Sequence, residues 1–329
     1  MRLLRRALTL PLATVLMICV IAAGPVLLVI TGVVGLATRS SRPVRTVALT
    51  MAYAVIELRT LAKLLGGQRD GDQLVHEFLG LAYAAVQRVL DVRVVLDPAS
   101  PTKGDIPTDQ PLIVLSRHCG PGDSVLVAWL LRFGYGLRIR VVLKSILRVE
   151  PLLDFAGDLG CLCFLDRGDR ARRQIRELAA SLTGGQALLL FPEGANFSWP
   201  RWRAAIAELR STGGIRAAKR ALRQSHTLPP RTGGAAAAVT GAPRANVLVL
   251  THSGFCLDGR ARPWWQMPIH RELLVRTAVV PSSALPPPDR LGPWLGRVWT
   301  QVDAWVAANA TASDTTSGPL ERGPDQRGR

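Results

Sequence analysis

Apolar positions fall into two kinds of run along this chain. From residue 7 to residue 37 there are 31 residues without a charged side chain, preceded by Arg2, Arg5 and Arg6 and followed by Arg39, Arg42 and Arg45. As one straight helix the run would measure about 46 Å, against a hydrocarbon core of about 30 Å. It is too long for the apolar region of a secretory signal, roughly 7–15 residues. Gly24-Pro25 stands near its middle. A proline there removes a backbone donor and clashes with the preceding turn, so the pattern predicts a break. Two short apolar halves with arginines on both flanks predict a re-entrant helical hairpin with both ends cytoplasmic. A single tilted span is its rival, and a buried soluble helix is the bland alternative. A second apolar run, residues 47–58, is too short to span and precedes Arg59 and Lys63. It predicts an interfacial helix or one packed on the following domain.

Further along, the runs are short and bounded by turn residues. Residues 92–96, 112–116, 137–143, 161–165, 187–191, 247–251 and 273–280 read as strands. Helical patterns cover residues 123–133, 169–182, 203–224 and 293–308. Most of the strand runs are continuously apolar. In 137–143, Arg138 and Arg140 alternate with apolar neighbours, as on a half-exposed edge strand. Apolar strands alternating with helices predict an α/β domain with a mostly parallel central sheet flanked by helices. The expected organisation is a membrane-associated helical region over 1–64, the α/β domain over 65–308 and a disordered tail over 309–329, rich in Thr, Ser, Gly, Pro and Arg.

Composition narrows the partners. The 329 residues are 48% hydrophobic, enough for a sizeable core and incompatible with a disordered chain. Five cysteines without metal-ligand spacing (Cys19, Cys119, Cys161, Cys163 and Cys256) read as reduced thiols, and no metal is expected. The charge balance is 41 − 24 = +17, with only four lysines among the positives. So basic a chain is drawn to polyanions: nucleic acid, anionic lipid or phosphorylated small molecules. The apolar amino terminus favours lipid, and no nucleic-acid motif is present.

The candidate chemistry lies where strands end, as expected of open α/β sheets. The strand at 112–116 runs into His118, a Gly120-Pro121-Gly122 turn follows, and Asp123 opens a helix as its expected N-cap. A regular helix would point His118 and Asp123 apart, whereas a tight turn can fold the carboxylate onto the imidazole. Such a carboxylate fixes the tautomer and leaves the other ring nitrogen to accept a proton. No serine or cysteine is paired with it as nucleophile, so the proton would come from a substrate hydroxyl. A second strand ends in Phe191-Pro192-Glu193-Gly194, where Glu193 can bind a hydroxyl or hold an arginine, or form only a solvated ion pair. A third ends in Asp166-Arg167, where Arg167 can bind a phosphate or simply pair with Asp166 or Asp169.

Taken in order, these segments resemble the PlsC-like glycerophospholipid acyltransferases. The family's first motif, N-H-x-x-x-x-D, is matched by Arg117-His118 through Asp123, with arginine in place of the asparagine. Its G-x-x-F-x-x-R-like block is matched loosely from Gly160 to Arg167. Its F-P-E-G-T-R-S block is matched by Phe191 to Gly194, with Asn196 where the family often has arginine. A fourth, proline-bearing segment is similar to Ala278 to Pro281, and Leu228 to Gly234 is similar to the L-P-R-T-x-G block of the lysocardiolipin branch. The resemblance spans roughly residues 90–285.

What the resemblance implies is acyl transfer from acyl-CoA (or acyl-carrier protein) to the free hydroxyl of a lysophospholipid. The first choice of acceptor is 1-acyl-glycerol-3-phosphate, giving phosphatidic acid. His118 would be the general base and Asp123 its orienting partner. Arg167, Glu193 and Gly194 would position the acceptor, without a cofactor. The expected partners are the bilayer, acyl-CoA and the lysophospholipid acceptor, and the expected place is the cytoplasmic face of the cell membrane. The basic residues from Arg201 to Arg223 read as a coenzyme A contact or as a solvated helix face. Another lysophospholipid acceptor is one alternative. A catalytically inactive membrane lipid-binding protein is the alternative from a different class. A serine esterase is disfavoured because no G-x-S-x-G elbow occurs.

Overall fold

The structure is a computed structural model, and it describes residues 2–120, 122–166, 168–212, 214–253 and 268–310. Seven strands build one sheet: β1 (Val92–Leu96), β2 (Leu112–Ser116), β3 (Arg138–Lys144), β4 (Leu162–Leu165), β5 (Gln186–Leu190), β6 (Asn246–His252) and β7 (Arg271–Val280). Their order is β1-β7-β6-β2-β5-β3-β4. All neighbours are parallel except β6 and β7. The described helices are α1 (Arg2–Thr38), α2 (Arg42–Leu65), α3 (Gly71–Leu90), α4 (Asp123–Trp129), α5 (Pro151–Asp158), α6 (Gly168–Ala180), α7 (Trp199–Ser211), α8 (Ile215–Ala221), α9 (Thr232–Gly241) and α10 (Leu291–Ala308).

The period-two geometry of a strand divides β2 between two cores. Ile113 and Leu115 face one layer with Ile175 of α6, Ala238 of α9 and Trp299 of α10. Leu112 and Val114 face the other with Leu79 of α3 and Val127 of α4. With both faces covered, β2 and β5 are buried throughout, which is why they read as unbroken apolar runs. The seven expected strands and the mostly parallel sheet are all present.

The expected break at Gly24-Pro25 is absent. Helix α1 runs through it for 37 residues, about 55 Å. Pro25 withholds only the donor that the Ile21 carbonyl would have used, while Gly24 lets another helix approach. Gly24 is the buried residue of α1, and a Cβ on it would collide with Met51 of α2. The chain reverses instead at residues 39–41, where Arg39 has φ +50° and Ser40 N–H donates to the Gly35 carbonyl at 2.9 Å. Helix α2 then returns along α1 and packs on α3: Leu61 and Leu64 cluster with Leu74 and Leu152, and Arg45 donates to the Val89 carbonyl at 2.5 Å. The start of α1 is tied to α5, with Arg5 and Arg6 at 2.5 and 2.7 Å from Asp154 and Arg2 paired with Asp158. Helix α1 is long and apolar enough to cross a membrane, and the rest of the chain leaves most of its side chains uncovered, among them Leu12, Leu16, Val29 and Val33.

Two smaller expectations also change. Strand β3 is internal, flanked by β5 and β4. It mimics an edge because β4 pairs only with Val141–Lys144, leaving Arg138 and Arg140 beyond its reach. The single helix expected over 203–224 is two, α7 and α8, interrupted around Gly214. The tail expected to be disordered over 309–329 lies outside the described residues from 311 onward.

Candidate active site

The carboxyl ends of β2, β5 and β6 converge. Strand β2 delivers Arg117 and His118, and Gly122, at φ +85°, turns the chain into α4. Only a residue without a Cβ enters that backbone region freely. Gly122, rather than Asp123, is the helix N-cap, and Asp123 is the first helical residue. Its side chain folds back over the turn instead of capping α4.

Both carboxylate oxygens of Asp123 lie 3.0 Å from His118 Nδ1. Backbone N–H groups of Cys119 and Gly120 donate to Asp123 Oδ2 at 2.7 and 3.2 Å, and Ser124 Oγ lies 3.2 Å from Oδ1. Burial pushes the Asp123 carboxyl up, but the hydrogen bond and charge of His118, nearby His252 and the Cys119 N–H outweigh it. The group is therefore held below the usual carboxylate range. An ionised Asp123 makes Nδ1 the protonated nitrogen, which leaves Nε2 as the acceptor. The His118 side chain is 22% exposed and that of Asp123 1%, so the imidazole alone of the pair is open to another molecule. Phe191 walls one side, with ring centroids 4.6 Å apart.

Glu193 reaches the same spot from β5. Its Oε1 accepts the backbone N–H of His118 at 3.1 Å and its Oε2 that of Leu228 at 2.8 Å. Both oxygens of this residue, expected to meet the acceptor, accept a backbone N–H, and the side chain is buried. Burial raises its carboxyl to about 7, against the opposing pull of Arg117 and the two N–H groups. Gly194 closes the corner at φ +69°, its N–H donating to the Phe191 carbonyl at 2.9 Å. Arg167 lies outside the described residues.

Two residues complete the site: His252, absent from the sequence-based candidates, and Arg117, noted there only as a departure from the motif. His252, at the end of β6, is buried, and its Nε2 donates to the Arg117 carbonyl at 3.1 Å. It sits 3.8 Å from Asp123 Oδ2. Burial lowers its pKa to about 4 against the opposing pull of Asp123, so it is neutral at physiological pH. The buried Arg117 guanidinium donates to the carbonyls of His252 (2.7 Å) and His226 (2.9 Å). The available signal for His252 was a lone histidine ending a predicted strand beside the central one. The Cys119 thiol, Asp123 and His252 bring metal-binding atoms within 4.8 Å of one another. Asp123 is already bonded to His118 and two N–H groups, so a metal there would have to break the pair.

Beside the turn lies an apolar cavity of about 410 Å³ between α2, α3 and α4, lined by Leu49, Ile56, Phe78, Val86 and Leu126 and reaching Gly122. Its volume falls within the range of about 300–1,000 Å³ usual for ligand pockets.

Residues 101–252 match the family model described as Acyltransferase. That match ends at His252, so Ala278 to Pro281, at the end of β7 and just after it, lies beyond it. Among solved structures, the chain is similar to the crystal structure of the 1-acyl-sn-glycerophosphate acyltransferase PlsC from Thermotoga maritima. The two are 16% identical with a TM-score of 0.53, covering 81% of this chain and 97% of that one. No curated protein matches the chain significantly. Residues 101–252 thus carry a match to the Acyltransferase family model, and the chain around them shares the fold of the PlsC structure.

Proposed function

We propose that the chain transfers a fatty acyl group from acyl-CoA, or acyl-carrier protein, to the free hydroxyl of a lysophospholipid, foremost 1-acyl-glycerol-3-phosphate. The observation that carries this is the His118–Asp123 pair at 3.0 Å, with a partly exposed imidazole at a strand end. His118 Nε2 takes the proton of the acceptor hydroxyl as its oxygen attacks the thioester carbonyl. The tetrahedral intermediate collapses, the new ester forms, and the thiolate of the carrier leaves with a proton from His118. Asp123 holds the imidazole in the required tautomer and balances its charge in the transition state. A thioester is already activated, so the residues named here suffice for the step.

Glu193 is a positioning residue in this reading, because its buried carboxylate braces the backbone of His118 and Leu228. The family resemblance assigns Arg167 to the acceptor's phosphate. Arg167→Ala then raises KM for the phosphorylated acceptor more than KM for the donor, and the reverse order removes that role. The apolar cavity at Gly122 supports an acyl chain bound beside the base.

The helices support a one-sided membrane attachment. Both ends of α1 return to the same domain, through Asp154 at one end and through α2 on α3 at the other. A helix so tethered lies in one leaflet and does not place its ends on opposite sides. Ile146, Leu147 and Val149 expose further apolar surface just before α5. An intracellular thioester donor locates this surface on the cytoplasmic face of the cell membrane.

The test is release of coenzyme A thiol from oleoyl-CoA by the full-length protein, with and without 1-acyl-glycerol-3-phosphate. Acceptor-dependent release together with phosphatidic acid by mass spectrometry supports the reading. Release without acceptor makes the protein a thioesterase, and no release with any lysophospholipid makes it a lipid-binding protein.

A further inference from the structure

The arginine-rich stretch from Arg201 to Arg223 is only partly used by the site. Arg201 donates to the Asn196 carbonyl at 3.0 Å. Arg216 and Arg220, on α8, line a cleft of about 870 Å³ between α7, α8, residues 229–232 and the start of α10, where Arg231 joins them. The carboxylate lining the cleft is Glu208, 3.9 Å from Arg231, so three guanidiniums face one carboxylate. Arg220 is half-buried, and its guanidinium lies so close to the backbone of Gly296 on α10 that a Cβ there would collide with it. Among the described residues, no carboxylate or hydrogen-bond acceptor meets that guanidinium. A half-buried cation held in place without a counter-charge is unfavourable in the empty protein and favours an anionic ligand.

The cleft starts at the catalytic corner. Arg231 N–H donates to the Pro192 carbonyl at 2.8 Å. Its side chain crosses Gly194, where a Cβ would stand 3.4 Å from Arg231 Cδ. Ile215, Pro230 and Pro293 also line it and add apolar surface that suits the flat face of a base. The start of α7 and Leu228 pack with Leu49 of α2 and Val86 of α3, and the cleft opens farther along α7, between Ala205 to Thr212 and the start of α10. Three arginines and one carboxylate along a single cleft fit a ligand with several phosphates better than a headgroup with one.

We propose that this cleft binds the nucleotide end of coenzyme A in the acyl donor. Arg216 and Arg220 hold its phosphates, and Arg231 lies where the pantetheine arm passes Gly194 toward His118. The inference rests on the acyltransferase reading above and makes coenzyme A, rather than carrier protein, the donor's carrier.

The experiment compares the full-length protein with Arg216→Ala/Arg220→Ala, using three probes: free coenzyme A in a calorimetric titration, oleoyl-CoA, and S-oleoyl-N-acetylcysteamine, which carries the thioester without phosphates. Each lost charge-assisted contact is expected to weaken binding about tenfold. The double variant should then lose coenzyme A binding and raise KM for oleoyl-CoA about 100-fold. Its kcat/KM for the phosphate-free thioester and its KM for the lysophospholipid should stay unchanged. Equal losses with both thioesters, or a raised KM for the acceptor instead, overturn the assignment. So does a wild-type protein that transfers from acyl-carrier protein and does not bind coenzyme A, an outcome that leaves acyl transfer intact. Coenzyme A binding that depends on Arg220 in a protein without transferase activity supports the cleft and removes the activity.

Discussion

Glu193 Oε1 accepts the backbone N–H of His118 at 3.1 Å, so the end of β5 holds the end of β2. The second oxygen holds Leu228 of the segment leading into α9. One buried carboxylate thereby fixes three chain segments around the imidazole. In Glu193→Gln the amide has one acceptor oxygen, so one of the two N–H groups faces an NH₂ group. The expected cost is about 1–3 kcal/mol of stability. Thermal denaturation reads that loss, and a fall in kcat without a matching rise in acceptor KM reads the displaced base. Unchanged melting and turnover would remove Glu193 from the positioning role.

His118→Ala is expected to lower turnover about 10²–10⁴-fold while the melting temperature stays near that of the wild type. Asp123→Asn should also lose most activity, since an amide no longer selects the Nδ1–H tautomer. Near-normal turnover in the histidine variant would exclude it as the base.

His252 gives a signed pH effect. Its pKa is about 4 in the folded protein, below the ordinary value of 6.5. Above pH 6.5 it is neutral in both folded and unfolded chains and has no linkage. As pH falls from 6.5 to 4, the unfolded chain takes the proton first and stability is lost, by up to about 3 kcal/mol. Glu193 acts in the opposite direction. Its folded pKa is raised to about 7, so its contribution is fully present below 4.5 and lost as pH rises through 7. In His252→Asn the wild type's stability advantage should shrink as pH drops from 6.5 to 4. Melting curves across that range check it, and a constant difference between the two proteins would contradict a buried neutral imidazole.

Gly24 carries the α1–α2 contact, so Gly24→Leu should force the helices apart at Met51. The wild type should stay with membranes through high salt and alkaline carbonate. The variant should remain membrane-bound through the exposed face of α1 but become sensitive to proteolysis at residues 39–41. Full release of the wild type by carbonate would refute insertion of α1.

Much of this fold was legible along the chain. The seven strands were visible because a sheet covered on both faces demands unbroken apolar runs, and β2 and β5 obey that rule. His118, Asp123 and the Phe191 to Gly194 corner were visible because each follows such a run at a strand end. Where the reading failed, the deciding contact lay far away in sequence. Pro25 breaks isolated helices, yet α2 packs against Gly24 and α1 continues. Arg138 and Arg140 imitate an edge because β4 is short.

The sequence by itself determined the layered α/β architecture, the apolar amino-terminal helix and the residue types for base chemistry, because periodicity and turn residues are local properties. Only the tertiary structure decided that Asp123 turns back onto His118 instead of capping its helix, that Glu193 braces the backbone, and that His252 joins them from β6. These choices depend on which strand ends meet. Strand order is set by long-range packing on both faces of the sheet, which no local pattern encodes.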